Sequence, residues 1–155
     1  MISAKQSIHI ILLLLTMFSA QAQKSQVDND PAQLYYQGLD YVKQKNFSYA
    51  KELFTQFIER KEIMHEKKNQ SLISDAKFYK ALCTMELRQP EAEKLLQDYI
   101  NNEDESPTKK VAYYHLGRLL FDNKKYKEAI EYFKQVEQFD LSRAERDEYR
   151  FELAY

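Results

Sequence analysis

The sequence predicts an all-α fold in which helix–turn–helix units stack into an α-solenoid of about three and a half units. Three observations point there. Only two glycines and three prolines occur in 155 residues, too few breakers for a strand-and-turn protein. All three prolines, Pro31, Pro90 and Pro107, fall where helices should start, positions at which a missing backbone donor costs little. One spacing also recurs. Gly38 is followed twelve residues later by Ala50 and four after that by Phe54; Gly117, Ala129 and Phe133 repeat it. A small residue on one helix lets the next approach, the alanine answers it, and the aromatic ring fills the groove one turn on.

Before the helices comes an address. Lys5 precedes an apolar run from Ile8 to Phe18, and Ser19-Ala20-Gln21-Ala22 follows. A positive start, a short apolar core and an Ala-x-Ala end describe a secretory signal over residues 1–22. A membrane anchor would need about 20 continuous apolar residues, whereas polar residues here resume at Ser19. No cysteine lies beside the cut to take a lipid, so the mature chain is expected to be released. In a Gram-negative bacterium it would be periplasmic or associated with the cell envelope.

A polar linker spans residues 23–29 and a helical repeat domain residues 30–155. Asp30-Pro31 is a start signal, with an acceptor side chain at the N-cap and proline behind it. The second helix of this first unit is expected to run long, toward Lys68. Pro90 splits the run between Arg88 and Glu91, ending one helix and opening another. Ala81 to Ala92 is eleven residues rather than twelve, so the second unit's turn should be shortened around Gln89-Pro90. Ser106-Pro107 repeats the start device, and Ser142-Arg143-Ala144-Glu145 is a capping box whose serine and glutamate satisfy each other's backbone donors.

The formal net charge is −1, and 30% of residues are charged. The positive field that nucleic acid requires is missing. Lys124-Lys125 and Lys67-Lys68 have glutamates nearby and read as solvated turns and helix ends. Cys83 is the single cysteine. It can form no internal disulfide and sits in an apolar run, where a buried small hydrophobe is the expected role. His65 and His115 lie fifty residues apart with no ligand spacing, so no metal site is expected. Asn101-Asn102-Glu103-Asp104-Glu105 lacks the central glycine and spaced ligands of a calcium loop. No phosphate loop, cofactor motif or catalytic constellation is apparent, and the chain reads as a non-enzyme.

The repeated spacing resembles the tetratricopeptide repeat, a helical hairpin of about 34 residues. Its small positions here are Gly38, Ala81, Gly117 and Ala154, its second-helix alanines Ala50, Ala92 and Ala129, and its large apolar positions Phe54, Leu96 and Phe133. The match is closest in the third unit and weakest in the second. No tryptophan occupies the early aromatic position, where Leu34, Lys77, Tyr113 and Arg150 stand, and the small positions lie 43, 36 and 37 residues apart.

The resemblance implies a curved array whose concave wall is made by the first helices. It would place Tyr35, Leu39 and Val42, then Phe78, Leu82 and Met85, then Tyr114, Arg118 and Phe121 toward that groove. A ladder of Tyr35, Phe78, Tyr114 and Phe151 would there face a peptide with apolar anchors, or else pack inside the solenoid. The lysines and asparagines with which chaperone-binding members clamp a terminal carboxylate are missing at these positions. The implied function is an extracytoplasmic protein–protein interaction scaffold, similar to envelope-assembly and Tol–Pal-associated members. The alternative is the sensory ectodomain of a signalling protein. The last helix, from Ser142, breaks off in mid-repeat, so the array is expected to continue beyond residue 155. An apolar stripe at Tyr149, Leu153 and Ala154 would let this chain self-associate.

Overall fold

The computed structural model describes residues 30, 32–60, 69–104 and 106–154. The expected signal and linker lie outside these residues. Seven α-helices follow one another among them: α1 Ala32–Lys43, α2 Phe47–Glu59, α3 Gln70–Glu86, α4 Ala92–Asn102, α5 Pro107–Asp122, α6 Tyr126–Phe133 and α7 Arg143–Ala154. A short 3-10 turn, Gln138–Asp140, links the last two.

The start signals act as the sequence implies. Asp30 Oδ1 accepts from the backbone of Ala32 at 3.0 Å, and Ser106 Oγ accepts from Lys109 at 3.1 Å. At α7, Glu145 Oε2 accepts from the Ser142 backbone at 2.8 Å while Ser142 Oγ accepts from the Glu145 backbone at 3.4 Å. Each cap satisfies donors that the first helical turn leaves over. The long second helix expected in the first unit is corrected: α2 ends at Glu59, and Arg60 is already extended. Residues 61–68, over which it was expected to run, are not among those described.

Three hairpins are closed by one turn geometry. Lys45, Arg88 and Lys124 have φ of 57°, 54° and 61°, and each stands seven residues after its unit's small position. The backbone N–H of each bonds the carbonyl three residues back, to Val42, Met85 and Phe121. The following N–H reaches five back, to Tyr41, Thr84 and Leu120. This is the Schellman arrangement, which usually employs glycine at the left-handed position. Because the turn is conserved through Gln89, the residue missing from the second unit falls between Gln89 and Ala92, and α4 starts directly at Ala92.

The first helices α1, α3, α5 and α7 lie side by side, and each second helix packs between its own first helix and the next one. The result is an all-α solenoid of two layers. α3 and α5 are therefore buried on opposite sides: Ile73, Ala76 and Cys83 face back into the first hairpin's cluster, while Phe78, Ala81 and Met85 face forward. Cys83 is fully buried, and desolvation pushes its thiol up to about 12.

The crossings inside each hairpin depend on small residues. A Cβ placed on Gly38 would lie 2.7 Å from Phe54 Cε1, and one on Gly117 would lie 2.4 Å from Phe133 Cε1. The glycine's face is thus taken by the phenylalanine, one turn beyond the alanine expected to answer it. In the second unit alanine replaces the glycine and Leu96 replaces the ring, and both are buried. Large and small exchange volume as a pair.

Candidate partner-binding surface

Seven first-helix residues were expected on the groove wall, and the structure divides them. Tyr35, Phe78, Met85 and Tyr114 are core residues, at most 6% exposed. Leu39, Arg118 and Phe121 are half-buried, as are Val42 and Leu82. The aromatic ladder takes the second of its two expected places: three of its four rings pack inside the solenoid. Tyr35 lies against Phe54 and Phe57, Phe78 against Tyr99 and His115, and Tyr114 against Phe133 and Tyr149. Phe151, at the same register on α7, is 67% exposed.

The reason is visible in the register. The residue three before each small position points forward into the seam with the next unit. There it meets the residue six before that unit's small position. Tyr35 donates its hydroxyl to Asp75 Oδ2 at 3.5 Å, and Tyr114 donates to Glu148 Oε2 at 2.7 Å. In the middle seam the pair at these positions is Phe78 and Val111, packed in one apolar cluster. Hydroxyl and carboxylate are present together or absent together, as expected where an unpaired buried polar group costs more than the pair gains. Burial and the neighbouring acids raise the phenol pKa of both tyrosines, with burial the larger cause. Asp75 also accepts from Thr108 Oγ1 at 3.0 Å, so one carboxylate ties α1, α3 and the start of α5.

What remains at the surface of the first helices is aliphatic at one end and charged at the other. Leu39 and Leu82 stand one after the small position in units one and two; in unit three that place is held by Arg118. Arg118 donates to Glu86 Oε1 at 2.6 Å and lies 3.6 Å from Glu148 Oε2. The guanidinium thus bridges α3, α5 and α7. Phe121 packs edge-on against Tyr126, centroids 5.1 Å apart.

Among the buried ionisable groups are His115 and Glu152, whose burial sequence reasoning missed. His115 is 5% exposed and Glu152 7%. Burial, then the charge of Arg118, lowers His115 to about 3, so the ring is neutral. Burial, then Glu148 and Asp122, raises Glu152 to about 7, and its Oε2 has no hydrogen-bond partner among the described residues. Both stand two before their unit's small position, the register of Tyr79, which stacks on Phe54 of the unit before it. That backward-facing register was the signal available in the sequence.

Tetratricopeptide repeat families match this chain twice, over residues 34–60 and residues 111–141. The first and third hairpins are tetratricopeptide repeats. The two matches fall on the first and third hairpins, the units whose glycine–alanine–phenylalanine spacing is intact, and the second hairpin with its shortened turn lies outside them. No curated protein and no solved structure matches the chain. Tetratricopeptide repeats typically mediate protein–protein interaction. No described helix is long and apolar enough to cross a membrane, and no group of three metal-ligating side chains occurs among the described residues.

Proposed function

We propose that this tetratricopeptide protein is an extracytoplasmic scaffold that holds a partner segment along the wall of its first helices, without catalysing a reaction. The observation that carries this reading is the side-by-side packing of α1, α3 and α5, which brings half-buried Leu39, Val42, Leu82 and Phe121 onto neighbouring helices. Because the seams absorb the aromatic rings, the wall offers an aliphatic strip with one aromatic edge. It suits an apolar-anchored peptide in extended or helical form. Residues 1–22 support export, and in a Gram-negative bacterium that address would lead to the periplasm or the cell envelope.

Two measurements test the reading. A photo-activatable cross-linker at Leu39 or Leu82 should capture a partner that the same group at Lys94, exposed on the second-helix layer, does not. Fusion of residues 1–22 to a reporter active only outside the cytoplasm should give a signal that is lost when Leu12 to Leu15 are made polar. Equal capture from both layers would refute the wall, and a silent reporter would refute export.

The last helix is proposed to be a second contact. Phe151 is 67% and Leu153 44% exposed, and large apolar side chains exposed together on one helix favour contact with another surface. The stripe differs from the one read in sequence. Tyr149 is buried, donating to the Phe133 carbonyl at 3.2 Å, so Phe151 and Leu153 carry the contact. Sedimentation should show concentration-dependent dimers that disappear in Phe151→Ser; a monomer at all concentrations would refute self-association.

A further inference from the structure

We propose that the cleft between the connector, residues 136–140, and the flank of α7 is a docking site for an acidic segment of a partner protein. The cleft has a volume of about 880 Å³ and is walled by Phe139 on one side and by Arg143, Arg146 and Arg150 on the other. Those arginines stand at i, i+3 and i+7, which places them along one helix face. Phe139 is 93% exposed.

The cations here differ from those that tie other elements together. Between other elements the chain supplies its own counter-charges: Lys77 to Glu103 at 2.6 Å, Arg118 to Glu86 at 2.6 Å, and Lys125 to Glu93 at 3.0 Å. Along α7 it does not. Arg143 and Arg146 form no ion pair with a described residue, and Arg150 donates only to the neutral amide oxygen of Gln138, at 3.2 Å. Two carboxylates also line the cleft, Glu137 and Asp147. Glu137 is engaged by Lys110 at 2.9 Å, which leaves Asp147 against three guanidiniums.

An occupant must therefore bring carboxylates spaced to meet the row, and an apolar side chain to cover Phe139. Guanidinium forks bind carboxylates in paired, charge-assisted hydrogen bonds, and arginine with an exposed aromatic is the pairing that concentrates binding energy at interfaces. A single short row on a chain of net charge −1 provides no extended field for a nucleic-acid backbone. The site shares no lining residue with the aliphatic wall, and its test is read separately from cross-linking at Leu39.

The test is fluorescence anisotropy on the full chain with a labelled peptide of alternating glutamate and leucine. The probes beside it are the glutamine counterpart and a single-stranded oligonucleotide. The glutamate peptide is expected to bind, to weaken as salt screens the row, and to outbind its glutamine counterpart by about tenfold or more. Arg146→Glu and Arg143→Glu should each reduce its affinity by about tenfold, and Phe139→Ala should reduce it further. Lys94→Glu, on a different helix, should leave it unchanged. These residues are on the surface, so unaltered circular dichroism melts confirm that the variants are folded. Equal binding of the two peptides, indifference to Arg146→Glu, or tighter binding of the oligonucleotide would each overturn the proposal.

Discussion

Replacing Gly117 with alanine isolates the contact that sets the third hairpin's crossing. In an ordinary helix the change would stabilise by about 0.5–1 kcal/mol, because glycine loses more freedom on folding. Here the new methyl would stand 2.4 and 2.5 Å from Phe133 Cε1 and Cδ1. Phe133 cannot swing away freely: it is 1% exposed and lies edge-on to Tyr149, centroids 5.5 Å apart. Overpacking a core typically costs ~1–3 kcal/mol, so the steric term outweighs the propensity gain and a net loss of about 1–2 kcal/mol is expected. The second hairpin supplies the remedy, since it pairs alanine at this place with leucine. Phe133→Leu alone should destabilise by roughly 1–2 kcal/mol through lost volume. In the double variant it should remove most of the alanine's penalty. Urea unfolding of the four proteins gives the coupling directly, and a favourable interaction of about 1 kcal/mol is expected. Additivity to within roughly 0.5 kcal/mol, or a Gly117→Ala protein more stable than the parent, would refute the volume exchange.

The seam pairing makes the same prediction for opposite changes. Tyr114→Phe should lose about 1–2 kcal/mol by stripping Glu148 of a charged hydrogen bond, and Phe78→Tyr should lose a comparable amount by burying a hydroxyl opposite Val111. Chemical denaturation showing either change to be neutral would break the rule. At the hairpin turns, Lys124→Gly and Lys45→Gly should each raise stability by roughly 0.5–1 kcal/mol, since a left-handed backbone costs most residues about 1–2. Unchanged melting would argue against the strained turn. Glu152 has a folded-state pKa raised to about 7 from 4.5. Its contribution is therefore fully present below pH 4.5 and is lost as pH rises through 7. Glu152→Gln should match the parent at low pH and exceed it above pH 7. His115 works in the other direction, stabilising above pH 6.5 and losing that contribution as pH falls toward 3, so His115→Gln should flatten the acid limb.

The architecture was legible because it rests on local rules. Proline and serine mark helix starts by donor bookkeeping, and the glycine–alanine–phenylalanine spacing marks crossings by volume; both are written in short stretches. The extent of α2 was misjudged because the 43-residue interval between Gly38 and Ala81 reports length and not helix continuity. The place of the aromatic ladder stayed open in the sequence for a different reason. The position three before the small residue was assigned outward by resemblance, yet whether a ring there faces a groove or a seam depends on the next unit. The acid at Asp75 and at Glu148, six before the following small residue, was the available clue. A tyrosine hydroxyl with a carboxylate waiting at that register has a buried partner. Tyr149 was misplaced likewise: a residue assigned to an open stripe donates to the Phe133 carbonyl on the preceding hairpin, a long-range bond that local pattern does not announce.

The wall and the α7 cleft both contain arginine, and their chemistry differs through the availability of the cation. Arg118 is held between Glu86 and Glu148, and Glu148 also accepts from Tyr114. A partner carboxylate arriving there would have to displace two internal ones and loosen the seam between α5 and α7. An aliphatic group laid against Leu39 or Leu82 displaces only water. The wall therefore selects apolar anchors even though a guanidinium stands on it. Arg143 and Arg146 carry no such commitment, so a carboxylate gains a full pair at no cost to the fold. Freeing Arg118 by Glu86→Gln and Glu148→Gln together should move the wall toward acidic peptides, at the expense of seam stability. Peptide binding measured at Leu82 with and without those changes decides it. If the doubly substituted wall still ignores glutamate, then the guanidinium's orientation and not its pairing sets the preference.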